Sequence, residues 1–228
     1  AFFINRDFLD NKQLFYKFKL SLITEALYTR KYTAAVLAAA GELLPGRPVN
    51  AGGIIGAVMK ITYTNRHLAD SIGSLLDLSF EDYLAANKPF METPQVQQLV
   101  SQGFAIGGHS VDHPYYSQLT LEEQLWQTRE SVDFVADKFQ LPYRAFAFPH
   151  TDAGVSRTFF EHLLGDDPAL DIIFGTANHL GDIHPAILHR FNCERPQLSI
   201  EKAVKGILFF DFIKKRLQRQ IISRGKAI

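Results

Sequence analysis

Two histidines separated by three residues follow a short apolar run near the middle of the chain. Phe104–Ile106 is that run, and it predicts a buried strand. Gly107–Gly108 comes next, and we expect these glycines to let the backbone turn sharply. His109 and His113 then follow, and Pro114 prevents an ordinary helix from continuing through them. Imidazole is the commonest protein ligand for transition metals, so the pair predicts a metal site. Two ligands do not complete such a site, and two unrelated loop histidines are the alternative.

Other side chains with chemical potential follow two further predicted strands. Pro149, His150 and Asp152 come after the apolar run Arg144–Phe148, and His189 lies within a later apolar run. Because the carboxyl ends of parallel strands meet at one edge of a sheet, we expect these residues to lie near the histidine pair. The structural alternatives are a plain loop histidine at 150, a turn-forming aspartate at 152 and a strand histidine bonded to a backbone carbonyl at 189.

Strands and helices alternate regularly from about residue 93 onward, which predicts an α/β fold with a parallel sheet. The predicted strands cover residues 1–5, 104–107, 144–148, 171–175 and 187–191. The region from about 20 to 90 is mostly helical and is long for a connection between two strands. It is interpreted as an insertion covering one rim of the site, or alternatively as ordinary helices of the outer layer.

Four stretches resemble motifs of one family. His109–Pro114 is similar to the H-[ST]-x-x-H-P motif of the polysaccharide deacetylases, the NodB-like family also called carbohydrate esterase family 4. Ala147–His150 resembles the third motif of that family, a strand ending in an aromatic-Pro-aromatic turn. Ile187–His189 resembles its late L-x-H motif, and Ala1–Asn5 resembles its A-T-F-F strand. The resemblance covers most of the chain and is weakest between about residues 20 and 90.

The resemblance implies a fold and a reaction. The fold would be a distorted, incomplete (β/α) barrel, with residues 1–228 forming a single NodB-like domain that lacks its first strand. The reaction would be metal-dependent hydrolysis of an N-acetyl group on a sugar or polysaccharide, a non-peptide carbon–nitrogen bond. His109 and His113 would bind one divalent metal ion, with zinc as the expected metal.

The resemblance also implies roles for the residues after the later strands. His189 would be the general acid that protonates the leaving amine. His150 would donate its backbone N–H to the oxyanion that forms during the reaction. Pro149 and Asp152 would lie against the substrate, with Asp152 ordering either His150 or the ligand.

The chain departs from the family pattern in two places. No T-F-D-D run, which supplies the third metal ligand and the catalytic base, occurs in the 228 residues, and Asp166–Asp167 lies in a turn that does not match it. Because Ala1 already lies in an apolar run, we expect the native N-terminus to lie upstream. Because the third metal ligand and the catalytic base are missing, we expect this chain alone to be nearly inactive. Ala147 stands where many members have an Arg. The alternatives are a catalytically impaired carbohydrate-binding or scaffold protein, or a hydrolase acting on another amide.

Composition limits the partners of the chain. Lys plus Arg number 24 and Asp plus Glu 24, which gives no electrostatic reason to expect nucleic-acid binding. No apolar run is long enough to span a membrane. Cys193 is the single cysteine, so no internal disulfide can form. We expect a cytoplasmic protein, with export as the alternative. The basic C-terminal helix predicts a solvated face, with an anionic surface or polymer as the alternative. The expected partner is an N-acetylated sugar or oligosaccharide.

Overall fold

Short parallel strands form one sheet whose neighbours follow chain order, from β1 at one edge to β5 at the other. The strands are β1 (Phe2–Ile4), β2 (Ile106–Gly108), β3 (Ala145–Ala147), β4 (Ile172–Gly175) and β5 (Ile187–His189). Every neighbouring pair is parallel. The predicted strands and their parallel order are therefore confirmed, in agreement with the α/β class. The sheet is open, and the predicted barrel is not confirmed because no hydrogen bonds join β1 to β5 within it.

This computed structural model describes residues 1–165, 168–177, 181–191, 199–217 and 221–225. Contacts between Cα atoms divide the chain into two compact units. The sheet unit comprises Ala1–Arg6 together with Val96–Ile228, and the helical unit comprises Asp7–Gln95. Cys193 and Asp166–Asp167, which the sequence interpretation mentions, lie outside the described residues.

The helical unit corresponds to the mostly helical region predicted between about residues 20 and 90. Its helices are α1 (Tyr16–Thr29), α2 (Ala34–Glu42), α3 (Ala51–Val58), α4 (Leu68–Leu75) and α5 (Phe80–Asn87). Side chains at Thr33, Asn50 and Ser79 accept the free N–H groups at the starts of α2, α3 and α5. Ile23, Ile54 and Ile72 are completely buried in this unit, which therefore has a core of its own.

The boundary between the units falls within α6 (Thr93–Ser101), and the remaining helices belong to the sheet unit. These are α7 (Leu121–Phe139), α8 (Arg157–Leu164) and α9 (Ile200–Arg216). A capping box starts α7, since Thr120 and Glu123 exchange bonds between side chain and backbone. α9 ends at Arg216, and three basic residues lie in its last turn. None of the helices in the described ranges combines the length and apolar character needed to cross a bilayer.

Aromatic side chains fill the core of the sheet unit. Phe146 and Phe148, on and just after β3, are fully buried against Tyr116 and against Phe159 and Phe160 of α8. Their rings meet edge-to-face or tilted at centroid distances between 5.0 and 6.0 Å, which is the favourable range for aromatic pairs. This packing fixes the end of β3, where the candidate site begins.

The two glycines before His109 have a different purpose from the one predicted. Gly107–Gly108 lies inside β2 and not in a sharp turn. A Cβ on Gly107 would lie 2.7 Å from the Ala145 carbonyl oxygen, and one on Gly108 would lie 2.9 Å from the backbone carbonyl carbon of Ser131 in α7. The absence of side chains therefore lets β2 lie directly against β3 and α7.

We expect Gly108→Ala to lower the free energy of unfolding by about 1–3 kcal/mol, since the added methyl group overpacks the contact with α7. Gly206→Ala is the control, because nothing lies within 4 Å of its added Cβ in α9. That variant should gain about 0.5–1 kcal/mol from helix propensity. Urea unfolding measures both. Equal stability of the two variants would refute the close-packing explanation.

Candidate functional site

His109 follows β2 directly, and one of its ring nitrogens is held by the neighbouring strand. Nδ1 lies 2.6 Å from the carbonyl oxygen of Ala147 at the end of β3. Since a carbonyl can only accept, the hydrogen is on Nδ1 and the lone pair is on Nε2. Burial lowers the pKa of His109 to about 4, and the nearby charges of Arg190 and His150 add to this, against the opposing effect of the Ala147 bond. The imidazole is therefore neutral near pH 7, as a metal ligand must be.

His113 lies beside His109 at the start of the following loop. The two ring centroids are 5.0 Å apart, with the planes inclined at 69°. This separation lets a nitrogen from each ring reach one ion. Nδ1 of His113 is 3.1 Å from Nε2 of His150, so His113 also has its Nδ1 engaged by another protein group. A protein partner on one nitrogen commonly orients a metal-ligating histidine.

The loop with His109 and His113 and the turn with His150 have an unusual backbone. Ser110, His113 and His150 have φ angles of 70°, 63° and 53°, in the left-handed region that side-chain-bearing residues avoid. Such conformations cost of order 1–3 kcal/mol each and concentrate at functional sites. Their occurrence in both motifs supports a functional origin for the geometry of these turns.

Buried polar side chains hold the loop in this conformation. The Asn5 amide donates to the carbonyl oxygen of His109 and, at 3.3 Å, to the hydroxyl of Ser110. The same hydroxyl accepts the backbone N–H of His113. Gln127 of α7, 3% exposed, accepts from the Val111 N–H through Oε1. Asn5 and Gln127 were not predicted from the sequence, although Gln127 shares the buried face of α7 with apolar side chains at helical spacing.

His150 stands at the turn after β3 and contacts the histidine pair directly. Besides its bond to His113, its ring stacks on Tyr115 with centroids 3.9 Å apart and planes inclined by 9°. Its side chain therefore orients His113, while its backbone N–H stays the predicted oxyanion donor. Pro149 is buried beneath this turn, so a sugar would reach its ring only if neighbouring side chains moved.

Arg190, which the sequence analysis did not single out, reaches the same turn from the end of β5. Its Nη2 donates to the carbonyl oxygen of Phe148 at 2.6 Å. Burial lowers the pKa of Arg190 against the opposing charge of Asp152. Its buried Nε has no hydrogen-bond partner among the described residues. The guanidinium adds a fixed positive charge beside His109.

Asp152 is held in a buried network. It is 2% exposed, and one carboxylate oxygen accepts from the backbone N–H and the hydroxyl of Thr176 after β4, each at 2.8 Å. Its other oxygen accepts from Nη2 of Arg224 at 2.7 Å. Burial alone raises the pKa of Asp152, but the bonds from Arg224 and Thr176 outweigh it and hold the pKa below its ordinary value. The predicted substrate contact would require this network to open.

His189, the last residue of β5, has protein partners on both ring nitrogens. Nδ1 accepts from the backbone N–H of Ala177 at 3.2 Å, and Nε2 donates to Asp182 at 2.8 Å. The side chain is fully buried. A Cβ on Gly175 of β4 would lie 2.5 Å from the His189 ring, so this glycine leaves the space that the imidazole fills.

Arg224 closes the network from the far end of the chain. Its guanidinium donates to both Asp182 and Asp152, lies 4.1 Å from the Phe160 ring centroid and is 3% exposed. Burial raises the pKa of Asp182, but bonds from His189 and Arg224 reverse this and place it well below its ordinary value. Burial lowers the pKa of Arg224, whereas its two carboxylates raise it above the usual value.

Among the described residues, one set of three possible metal ligands lies close together, formed by Asp152, Asp182 and His189. Their ligand atoms all lie within 4.8 Å of one another. The Arg224 guanidinium, however, already donates to both carboxylates of this set. A cation there would have to displace a buried arginine, so the donor set fits an ion poorly. His109, whose ring is neutral near pH 7, and His113, whose ring centroid lies 5.0 Å away, are therefore the better candidate ligands for an ion.

We expect Arg224→Gln to lower the free energy of unfolding by about 3–5 kcal/mol at neutral pH, because two buried carboxylates lose their cation. The depressed pKa values mean that the stabilisation is present above about pH 3.9 and is lost as the pH falls further. The gap between variant and wild type should therefore narrow in acid. Urea unfolding across pH checks this. Arg157→Gln, at an exposed pair with Glu161, is the control and should cost less than about 1 kcal/mol. A gap that does not change with pH would contradict the charge explanation.

Comparison with known proteins gives one family match. Residues 76–161 match the family model described as polysaccharide deacetylase. That segment contains His109, His113 and the turn with His150, whereas His189 and Arg224 lie beyond it. No curated protein and no solved structure matches the chain. The resemblance of the chain to the polysaccharide deacetylases is therefore confirmed on the segment that carries both candidate metal ligands.

Proposed function

We propose that this protein is a metal-dependent hydrolase that removes an N-acetyl group from a sugar or polysaccharide. The single observation that carries the proposal is the histidine pair. His109 is held by the Ala147 carbonyl with its Nε2 lone pair available, and His113 lies beside it with its own Nδ1 engaged. The family match over the same residues supports a deacetylase or hydrolase role.

His109 and His113 would hold the ion. Neutral imidazoles suit zinc and similar divalent metals. When bound, such an ion polarises the amide carbonyl and acidifies the attacking water. The protein holds the two rings in place through Ala147 and His150, and the burial that lowers the pKa of His109 keeps it from being protonated at neutral pH.

The residues after β3 and β5 would act on the amide itself. The backbone N–H of His150 is placed by a left-handed turn and would donate to the oxyanion. Asp182 orients the His189 imidazole as a carboxylate does in a catalytic pair. For His189 to serve as the general acid, Nδ1 would have to take up the proton released by the attacking water, and the leaving amine would then have to replace the Ala177 N–H at that nitrogen. The positive charge of Arg190 would stabilise the negative charge that develops on the carbonyl oxygen.

A second candidate function is carbohydrate binding without catalysis. The observation that favours it is the absence, within the described ranges, of a carboxylate that would complete a three-ligand set with His109 and His113. Such a protein would bind N-acetylated oligosaccharides and release no acetate. The two candidates therefore differ in one measurement, acetate release at saturating oligosaccharide.

We expect His109→Ala and His113→Ala each to reduce zinc affinity by at least about 100-fold, since either change removes half of the proposed protein ligands. Zinc titration of the purified protein, with metal content measured after dialysis, provides the test. His162→Ala is the matched control, because His162 is exposed on α8 and its ring bonds the Thr158 carbonyl of the same helix. Unchanged zinc affinity in both variants would show that the metal site lies elsewhere.

In the protein extended upstream by a strand carrying the T-F-D-D motif, where activity is expected, His189→Gln should lower acetate release by about 10²–10⁴-fold while leaving zinc content and folding intact. Glutamine can donate to Asp182 and accept from Ala177, so it preserves both contacts, but it has no proton to transfer. Acetate release from N-acetylglucosamine oligomers and urea unfolding are the two measurements. Undiminished turnover would restrict His189 to positioning. Wild-type protein that binds the oligomers without releasing acetate would favour the second candidate function.

A further inference from the structure

Helix α9 exposes far more apolar surface than any other element of the described chain. Of the 18 large hydrophobic side chains that are exposed in the described residues, nine lie between Ile200 and Ile221. They are Ile200, Val204, Leu208, Phe209, Phe210, Phe212, Ile213, Leu217 and Ile221, with exposures from 36% to 66%. The other nine are spread over the rest of the sequence. Soluble proteins rarely expose such a concentrated apolar surface unless it binds something.

One side of α9 is partly covered and the other is exposed to solvent. The least exposed positions are Ala203, Ile207, Asp211 and Lys214, whose spacing of four, four and three residues defines one helical stripe. The opposite stripe consists of Lys205, Phe209, Phe212 and Arg216, all of which are exposed. The outward stripe thus has phenylalanines at its centre and a cation at each end.

Positive charge accompanies this apolar surface. From Ile200 to Arg216 the sequence has five Lys and Arg residues against two acids, Glu201 and Asp211. Lys214 lies 4.5 Å from the Phe210 ring centroid, and Arg216 lies 5.6 Å from that of Phe212. The cations are therefore interleaved with the aromatic rings. The ion pair of Lys205 with Glu201 is solvent-exposed and contributes little stability, whereas in the pair of Lys215 with Asp211 the carboxylate side chain is only 12% exposed.

We propose that α9 binds the surface of an anionic lipid membrane. A helix lying in the interface buries aromatic and aliphatic side chains at the boundary of headgroups and acyl chains, while Lys and Arg contact the phosphates. The outward stripe of α9 has this arrangement of residue types. Its 17 residues lie along the surface and do not cross the bilayer, in keeping with the absence of a spanning helix among the described residues.

Charge argues against a second copy of the chain as the occupant of this surface. Two α9 helices packed together would bring ten cations and four acids into one interface, and like charges across an interface are unfavourable. Anionic lipid headgroups, in contrast, are complementary to the net positive charge. Apolar contact and charge complementarity therefore favour the same partner.

The test is sedimentation of the full chain with vesicles of phosphatidylcholine containing about one third phosphatidylglycerol. The expected result is binding to these vesicles that weakens as salt is raised, with little binding to pure phosphatidylcholine. The double variant Phe209→Ser and Phe212→Ser should reduce the vesicle-bound fraction at least about tenfold in partition coefficient. Both side chains are exposed, and circular dichroism and urea unfolding confirm that the variant is folded.

The matched control is the double variant Met59→Ser and Trp126→Ser, which removes two side chains of similar exposure outside α9. It should bind anionic vesicles as the wild type does. Three results would overturn the proposal: no sedimentation with anionic vesicles, equal loss in the control variant, or a dimer in analytical ultracentrifugation that is disrupted by the Phe209/Phe212 variant while vesicle binding is absent.

Discussion

The carbonyl oxygens at the carboxyl end of β3 need hydrogen-bond donors, and the candidate site depends on how that need is met. Ala147 and Phe148 are buried, and each unpaired buried carbonyl would cost free energy. His109, from the end of β2, donates to the first of them, and Arg190, from the end of β5, donates to the second. Side chains from two separate strands are thereby tied to successive residues of one strand. The same bonds fix the tautomer of His109 and the direction of the Arg190 charge.

The second organising feature is a buried balance of charge. Asp152 and Asp182 are carboxylates with almost no exposure, and Arg224 supplies the guanidinium that both accept from. A buried ionic network of this kind adds less net stability than its number of bonds suggests, because each charge loses its hydration. It does select one geometry, since few arrangements satisfy all the partners. Asp152 lies two residues after His150, so the network also fixes the turn beside the histidine pair.

The parts of the site that could be predicted from the sequence are those with local signals. The apolar run before His109 and the alternation of strands and helices predicted the parallel sheet. The spacing of His109 and His113 predicted that their side chains lie close together. Arg224 could not be predicted, because 72 residues separate it from Asp152 and no local pattern connects them. The glycines of β2 were wrongly predicted to form a turn, because a sharp turn and a close packing contact both favour glycine. The apolar surface of α9 is also a tertiary property, because its sequence does not indicate how little of the helix the sheet unit covers.

The position of Arg224 in the chain has a consequence for how the protein is made. Synthesis proceeds from the N-terminus, so all five strands, both carboxylates and His189 are synthesised before this arginine is added. Until then the two carboxylates have no counter-ion and must stay hydrated or take up protons. The segment after α9 then returns to the sheet unit, where Ile221 bridges to Gly181 and the Gly225 carbonyl accepts from Arg157. The centre of the sheet unit is therefore completed by a segment that is synthesised after all five strands and α9, and a ribosome that stopped at α9 would release a sheet with its buried charges unmatched.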